Sequence, residues 1–307
     1  CSPMSAAPPR LFDRALVRRR LDRAARAFDE AGFLHERVAQ DAVDRLAAIM
    51  RDFPLAVDLS ARRGAFGRAL ASSDASARIG HVIEADVSAP MLAGRAGPRV
   101  VVDEEALPFA PASLDLVVSS LGLHWTNDVV GALIQIRRAL RPDGLFIGAF
   151  FGGATLYELR RSLMDAEAEV TGGAGSRVSP FADPADGAGL LQRAGFALPV
   201  ADMDRVCVRY SHPLKLMADL RQMGETSALA ERHPRALTRA VLARTCELYV
   251  ERFGEADGKV PATFEILTLT GWAPHESQQK PLKPGSARMR LADALGVVEN
   301  PVPRDED

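Results

Sequence analysis

The chain has 307 residues, with 38 Lys and Arg against 40 Asp and Glu, which gives a formal net charge of −2 at pH 7. This balance creates no net field to concentrate a polyanion, so the composition argues against a nucleic acid partner. No apolar run approaches the roughly 20 residues that a transmembrane segment needs. Three scattered cysteines without a CxxC pair argue against a zinc site and for a reducing compartment.

Residues 1–52 are predicted to form an N-terminal helical extension. Apolar residues recur at helical spacing over 13–29 and again over 33–50, and Gly32 separates the two runs. Pro54 then ends the helical pattern. We therefore expect two helices that pack beside the core of the following segment.

The pattern over residues 53–151 alternates short apolar runs with helical segments. Such alternation is typical of right-handed βαβ crossovers and of a parallel sheet covered on both faces. The predicted strands are 55–59, 81–86, 99–103, 114–120 and 145–151, and the predicted helices are 67–70, 89–93 and 129–140. This segment is therefore predicted to be a doubly wound, cofactor-binding half.

Residues 152–290 are predicted to complete the sheet as a C-terminal half. After a helix at 156–170, two strands at 197–210 and 263–271 bracket helices at 213–223 and 234–253, which form an insertion between these last two strands. Asp183 or Asp186 is expected to cap the helix that ends at Gly195. Residues 291–307 are predicted to be a flexible tail.

Carboxylates stand at the ends of the second and third predicted strands, where ligands bind in an open parallel sheet. Asp86 is predicted to accept hydrogen bonds from both hydroxyls of a ribose; the alternative is a helix N-cap. Asp103 or Glu104 is predicted to accept a hydrogen bond from an adenine amino group. Leu107 and Phe109 would then line an apolar slot for the ring.

Two further segments are expected at the same edge of the sheet. The loop after the first predicted strand contributes the candidate cofactor-binding residues Asp58, Ser60, Arg62 and Gly64. The fourth strand ends in SSLGLHW, which adds Ser120, His124 and Trp125. His124 is a candidate general base and Trp125 a candidate cover for cofactor or substrate. The alternative is structural, with His124 bonded to backbone and Trp125 packed under the next helix.

Five motifs in register resemble those of class I S-adenosylmethionine-dependent methyltransferases, namely VDLSARRG, IEADVSAPML, DEEALPF, LDLVVSSLGLHW and LRPDGLFIGAF. The resemblance implies an α/β, Rossmann-like fold with a seven-stranded, mostly parallel sheet and helices on both faces. The last strand would be antiparallel and lie between the fifth and the sixth. The implied cofactor is S-adenosyl-L-methionine.

The second half resembles one family within that fold. FFGGATLYELRRSL, SPFADPADGAGLLQRAGF, LMADLRQMGE, VPATFEI and GWAPHESQQKP are similar to the family of the mitochondrial NADH:ubiquinone oxidoreductase complex assembly factor 5 and its bacterial relatives. The similarity covers nearly the whole chain. It implies a respiratory complex I subunit as partner, and arginine hydroxylation is the reaction reported for the mitochondrial member.

The chain departs from the methyltransferase pattern in the loop after the first strand. Where the pattern has Asp-Leu-Gly-Cys-Gly-x-Gly, this chain has DLSARRG, so Ser60 and Arg62 replace two glycines. Each adds a Cβ atom where the backbone would approach the ligand. Arg62 is expected either to pair with the carboxylate of the methionine moiety or to repel its sulfonium. The loop therefore predicts impaired cofactor binding.

Three functions are compatible with these features. The first is a methyltransferase-type enzyme that acts on a protein substrate in complex I assembly. The second is an arginine hydroxylase or a non-catalytic assembly factor on the same fold, and the third is a small-molecule carboxylate O-methyltransferase, in which LPF and LHW motifs also occur. The six histidines show no HxD or HxE spacing, so no metal site is predicted. The expected location is a bacterial cytoplasm, or the mitochondrial matrix for a eukaryotic source.

Overall fold

One mixed sheet of seven strands organises the part of the chain that the structure describes. The structure is a computed structural model that describes residues 10–173, 175, 177–179, 186–231 and 237–278. The strands are β1 (Phe53–Leu59), β2 (Ile79–Asp86), β3 (Arg99–Val101), β4 (Leu114–Ser120), β5 (Leu140–Phe151), β6 (Ala197–Tyr210) and β7 (Val260–Trp272). Their order across the sheet is β3-β2-β1-β4-β5-β7-β6.

The pairing of the strands confirms the predicted fold class. Neighbouring strands from β3 to β5 are parallel, whereas β7 is antiparallel to both β5 and β6. Several predicted strand bounds differ from the structure: β1 and β2 begin at Phe53 and Ile79 and not at 55 and 81, and β7 runs from Val260 to Trp272 and not over 263–271. β3 stops at Val101 because Asp103 leaves the ladder and pairs with Ala106 in an isolated bridge. β5 begins at Leu140, which pairs with Leu114 across an irregularity in the ladder.

Helices lie before the first strand and in the connections between strands. They are α1 (Arg14–Ala24), α2 (Phe28–Ala31), α3 (Phe33–Ala47), α4 (Ala65–Ala71), α5 (Val129–Ala139), α6 (Tyr157–Thr171), α7 (Gly187–Arg193), α8 (Pro213–Gln222) and α9 (Arg239–Phe253). Helices α8 and α9 form the predicted insertion between β6 and β7. None of the helices in the described ranges is long and apolar enough to cross a membrane.

The helix predictions differ from the structure at several points, and the helix expected over 33–50 ends at Ala47. The single helix expected over 13–29 is two helices, because Ala27 leaves the helical region with φ −113° and ψ 6°. The helix expected over 89–93 is a 3-10 turn, Ala89–Leu92. Asp186 stands at the N-cap of α7 without a side-chain capping bond. Asp183 and the predicted helix start at 234 lie outside the described residues.

The hydrophobic core lies on both faces of the sheet. On one face, α3 and α4 bury Val43 and Phe66 against β1, β4 and β5. On the other, α5 and α7 bury Ile136 and Leu191 against the same sheet. Helix α1 belongs to a separate cluster with Trp125, which follows β4. Helix α1 therefore covers the carboxyl end of the sheet rather than either face.

The chain divides into two compact units after Pro274. Within the second unit the structure describes residues 275–278, a turn in which His275 Nδ1 lies 2.7 Å from Ser277 Oγ. The predicted tail, residues 291–307, lies outside the described residues. The domain boundaries after residues 52, 151 and 290 stay predictions.

A glycine fixes the end of α8 and the direction of the following chain. Gly224 has φ +80°, and the next amide, that of Glu225, donates to the Leu220 carbonyl at 2.8 Å. A Cβ atom on Gly224 would lie 2.8 Å from Leu21 Cδ2. Only glycine meets both the backbone conformation and the contact without strain.

We expect Gly224→Ala to lower the free energy of unfolding by about 2 kcal/mol, because it combines left-handed strain with overpacking against Leu21. Gly258→Ala is the matched control, since Gly258 has φ +79° but open space around its Cβ position. That variant should lose about 1 kcal/mol, from backbone strain alone. Urea unfolding measures both, and equal losses would contradict the contact between α1 and the end of α8.

Candidate functional site

The carboxyl ends of β1, β2 and β4 meet at one edge of the sheet beneath α1. The loop after β1 has an unusual backbone, because Ser60 has φ 62°, Arg62 has φ 51° and Gly64 has φ 72°. Left-handed conformations cost a residue with a Cβ atom about 1–2 kcal/mol. The loop therefore keeps a backbone suited to glycine at two positions that carry side chains.

Arg62 is fully enclosed and pairs with Asp86. Its Nη1 donates to Asp86 Oδ2 at 2.8 Å, and its backbone N–H donates to the same oxygen at 2.9 Å. Asp86 Oδ1 accepts from the Ser88 N–H at 2.8 Å. Arg62 is 1% exposed and Asp86 is 0% exposed. The carboxylate expected to hold a ribose is thus bonded to groups of its own chain.

The surroundings of Arg62 keep its guanidinium charged. Burial alone would lower the pKa of Arg62, but the carboxylates of Asp86, Glu104 and Glu225 raise the pKa above its usual value. Arg62 Nη2 also lies 3.4 Å from the Leu121 carbonyl oxygen. A permanent positive charge therefore sits inside the edge of the sheet where the sequence predicts a cofactor.

Glu104 is likewise engaged by its own chain. Ser60 Oγ donates to Glu104 Oε1 at 2.8 Å, and Arg14 Nη2 donates to Glu104 Oε2. The same Arg14 nitrogen lies 2.6 Å from Asp103 Oδ1, and Arg14 Nη1 lies 3.1 Å from the Trp125 carbonyl oxygen. Through these bonds, Arg14 holds α1 against the segments that follow β3 and β4.

The remaining predicted cofactor residues lie at the same edge. Asp58 is buried, and within the described ranges neither its carboxyl oxygens nor Ser120 Oγ have a hydrogen-bond partner. Burial, with the nearby charges of Glu84 and Asp86, raises the pKa of Asp58 well above its usual value, which favours the protonated form. A Cβ on Gly64 would lie 2.0 Å from the Arg95 guanidinium. The structure thus brings the predicted residues together, but their assignment to a cofactor stays a prediction.

His124 and Trp125 share a carboxylate that the sequence analysis missed. Both rings contact Glu225 Oε2, His124 through Nε2 and Trp125 through Nε1, each at 3.0 Å. All three residues are buried. Trp125 also meets the Phe12 ring edge-on, with 5.3 Å between centroids. His124 is therefore bonded to a side chain, and Trp125 packs under α1.

A cavity of about 440 Å³ opens beside Trp125 and Glu225. Its walls are mostly aliphatic, with Leu159 of α6, Met217 of α8 and Leu242 of α9, and Arg177 and Arg221 also line it. Glu225 Oε1 has no hydrogen-bond partner in the described part of the chain. A cavity with apolar walls and one buried carboxylate can accept a long side chain with a cationic end.

His35 is a buried titratable group next to this site. Neither ring nitrogen has a hydrogen-bond partner among the described residues, and the ring packs on Phe28 with 4.9 Å between centroids. Burial, helped by the charge of Arg62 and then by His124, lowers the pKa of His35 well below its usual value. The lowered pKa therefore favours the neutral form of His35 in the folded protein.

We expect His35→Leu to reduce the loss of stability in mild acid. The unfolded chain binds a proton on this residue near its usual pKa of about 6.5, whereas the folded chain binds it only at lower pH. The stability that depends on neutral His35 is thus complete above about pH 6.5 and declines as pH falls. Urea unfolding at about pH 7.5 and pH 5 should show the variant gaining about 1–2 kcal/mol on wild type at the lower pH.

The exposed His81 provides the control for that measurement. His81→Leu should follow the pH dependence of the wild-type chain. If His35→Leu did so as well, His35 would not be the group that makes the folded state sensitive to acid.

S-adenosylmethionine is the cofactor that the fold implies, and the residues of this edge do not fit it as they are arranged. The carboxylate at the end of β2 is bonded to Arg62, and Glu104 is bonded to Ser60 and Arg14. The Ser60 hydroxyl also fills the space against Gly122, where a Cβ atom would lie 1.9 Å from Ser60 Oγ. Within the described residues, no group of three or more His, Cys, Asp or Glu is arranged to hold a metal ion.

Comparisons with known proteins agree with the fold and define the family. A family described as "Methyltransferase domain" matches residues 57–148. The human protein named arginine-hydroxylase NDUFAF5, mitochondrial, is 41% identical over 98% of this chain and 89% of its own length. The chain belongs to the NDUFAF5 family. The resemblance seen in the motifs is confirmed.

Two further matches place that family in a wider group. A malonyl-[acyl-carrier protein] O-methyltransferase of Methylovorus is 34% identical and covers 94% of this chain and 95% of its own. Among solved structures, phosphoethanolamine N-methyltransferase 2 of Haemonchus contortus, in complex with phosphomonomethylethanolamine and S-adenosylhomocysteine, has a TM-score of 0.50 and 18% identity, and the match covers 84% of this chain and 60% of that one. This structural match shows the fold, which is that of S-adenosylmethionine-dependent methyltransferases.

Proposed function

We propose that the chain is an assembly factor of respiratory complex I that binds an arginine-bearing segment of a complex I protein in the cavity beside Glu225. Membership of the family supports arginine as the side chain that is bound, because the human relative is named an arginine-hydroxylase. The observation that carries the proposal is the mostly aliphatic cavity with Glu225 in its wall, since Glu225 Oε1 has no hydrogen-bond partner among the residues that the structure describes. The bacterial relative and the unpaired cysteines support the cytoplasm of a bacterium as its location.

The chemistry of the cavity suits an arginine side chain. Its three methylene groups would pack on the aliphatic walls, while its guanidinium would donate to a carboxylate oxygen. Arg177 also lines the cavity, and its charge is compensated by Glu167. Arg221 lines it as well and favours a segment that carries a carboxylate close to its arginine.

Methyl transfer is not part of the proposal, because the groups that would hold S-adenosylmethionine are bonded to one another. The first and third functions, a methyltransferase acting on a protein and a carboxylate O-methyltransferase, both require that cofactor, so both rank behind the second, an arginine hydroxylase or a non-catalytic assembly factor. The support for the third function is the relative from Methylovorus.

Binding of the complex I subunit that carries the quinone-proximal iron–sulfur cluster tests the proposal. The full chain, Glu225→Gln and the control Glu231→Gln, which alters an exposed carboxylate, would each be used to capture that subunit. We expect wild type and the control to retain it and Glu225→Gln to bind at least about tenfold more weakly, since about 1.4 kcal/mol corresponds to a factor of ten. Equal capture by all three, or capture by none, would contradict the proposal.

Mass spectrometry of the captured subunit then identifies the chemistry. An arginine that gains one oxygen atom in the presence of the chain would extend the proposal to hydroxylation. Unchanged arginines with Glu225-dependent binding would support a binding role alone. A gain of one methylene group would contradict the exclusion of methyl transfer.

A further inference from the structure

We propose that Arg62 closes the cofactor site of the fold, so that the native chain binds neither S-adenosylmethionine nor S-adenosylhomocysteine at the edge of the sheet. This inference is independent of the cavity beside Glu225 and of any protein partner. It rests on the hydrogen bonds, the charge and the backbone of the loop from Ser60 to Gly64.

The hydrogen bonds of Asp86 supply the first argument. A ribose at the end of β2 would donate both hydroxyls to this carboxylate. Asp86 Oδ2 already accepts from the Arg62 guanidinium and from the Arg62 backbone N–H, and Oδ1 accepts from the Ser88 N–H. A ribose would have to displace the guanidinium, whose charge would then be buried without that partner.

The sign of the charge supplies the second argument. The sulfonium of S-adenosylmethionine is a cation, and the guanidinium of Arg62 is a cation in the same enclosed edge. Like charges repel strongly where water is excluded. The carboxylates of Asp86, Glu104 and Glu225 are thus already compensated by the guanidinium of Arg62, so they do not need the positive charge of the cofactor.

Ser60 and Arg14 occupy a second carboxylate of the cofactor site, that of Glu104. Glu104 accepts from the Ser60 hydroxyl on one oxygen and from Arg14 on the other. Glu104 is 2% exposed, and the side chain of Arg14 is 13% exposed. An adenine amino group would therefore meet a carboxylate whose two oxygens are already bonded under α1.

The backbone of the loop allows both residues to be replaced by glycine, which should reopen the cofactor site. Ser60 and Arg62 have φ values of 62° and 51°, so glycine fits both positions without a change of backbone. Ser60→Gly/Arg62→Gly would remove the guanidinium bond to Asp86, whose two backbone donors remain, and would free one oxygen of Glu104. At the same edge, the carboxyl oxygens of Asp58 and the hydroxyl of Ser120 have no hydrogen-bond partner among the described residues. The double variant should therefore bind the cofactor that the native chain excludes.

Isothermal titration calorimetry with S-adenosylmethionine and with S-adenosylhomocysteine is the test. Ser60→Gly alone keeps Arg62 in place, and Arg63→Gly changes the neighbouring arginine, which bonds to the Ala93 carbonyl oxygen away from Asp86. We expect no saturable heat at about 1 mM ligand for wild type and both single variants, and saturable heat with Kd below about 100 μM for the double variant.

Several results would overturn the inference. Saturable binding by the wild-type chain would do so, whether or not the double variant folds. So would binding by Ser60→Gly alone at the affinity of the double variant, because Arg62 would then not be the closing residue. A double variant with a wild-type circular dichroism spectrum that still gives no heat would also overturn it. If the double variant bound the cofactor more weakly than the wild-type chain, Arg62 would be a ligand of the cofactor and not the residue that excludes it.

Discussion

Replacing Arg62 with methionine should lower the free energy of unfolding by about 3–5 kcal/mol, the cost of removing one partner from a buried ion pair. The substitution keeps most of the side-chain volume but leaves Asp86, which is 0% exposed, without its guanidinium. The Ser88 and Arg62 amides would remain its donors. Urea unfolding of the full chain near neutral pH measures the loss.

Two variants control that result. Arg63→Met changes an adjacent, half-buried arginine that lies 3.5 Å from the exposed carboxylate of Asp29, and it should alter stability by less than about 1 kcal/mol. Arg62→Met combined with Asp86→Leu removes both charges and should recover much of the lost stability. Equal losses for Arg62→Met and Arg63→Met would contradict a buried ion pair between Arg62 and Asp86.

Glu225→Leu should destabilise the chain by about 3 kcal/mol or more, because it leaves two buried donors without an acceptor. His124 Nε2 and Trp125 Nε1 both lose Glu225 Oε2. Glu225→Gln keeps an oxygen that can accept both bonds, so it should cost no more than about 1 kcal/mol. Urea unfolding separates the two variants.

Tryptophan fluorescence provides a second readout of the same variants. The chain has two tryptophans, and Trp125 contacts Glu225 while Trp272 lies at the end of β7. In Trp272→Phe, where Trp125 is the emitter, Glu225→Leu should shift the emission and Glu225→Gln should leave it nearly unchanged. If Glu225→Leu and Glu225→Gln had the same stability and emission, Glu225 would not be the acceptor of these bonds.

The sheet could be predicted from the sequence because its strands are short apolar runs that alternate with helical segments. The run at 114–120 has the bounds that the structure gives for β4, and the long β6 was also located at both ends. The errors occur where local sequence does not decide the backbone. At Ala27, an alanine-rich stretch that favours helix is interrupted so that α2 can pack Phe28 in the core.

The sequence predicted where the residues of the candidate site lie, but it did not predict which side chains they bond to. Strand ends identify Asp86 and Asp103, because parallel strands place their carboxyl ends at one edge. Their partners come from other parts of the chain: Arg62 lies 24 residues from Asp86, and Arg14 lies 89 residues from Asp103. Such pairs depend on tertiary packing, which periodicity and spacing do not encode.

Glu225 was missed for the same reason. It lies 101 residues from His124 and follows α8, in a segment with no strand end to mark it. One signal was available, since the motif LMADLRQMGE ends in Gly224 and Glu225 and was part of the family resemblance. A glycine that ends a helix directs the next side chain, and here that side chain is the carboxylate under Trp125.

A crystal structure of the full chain grown with millimolar S-adenosylhomocysteine tests the central claim most directly. We expect the Arg62 guanidinium to remain bonded to Asp86 and the Ser60 hydroxyl to Glu104, with no nucleoside beneath α1. A ribose bonded to Asp86, with Arg62 turned away from it, would contradict the closure of the site by Arg62.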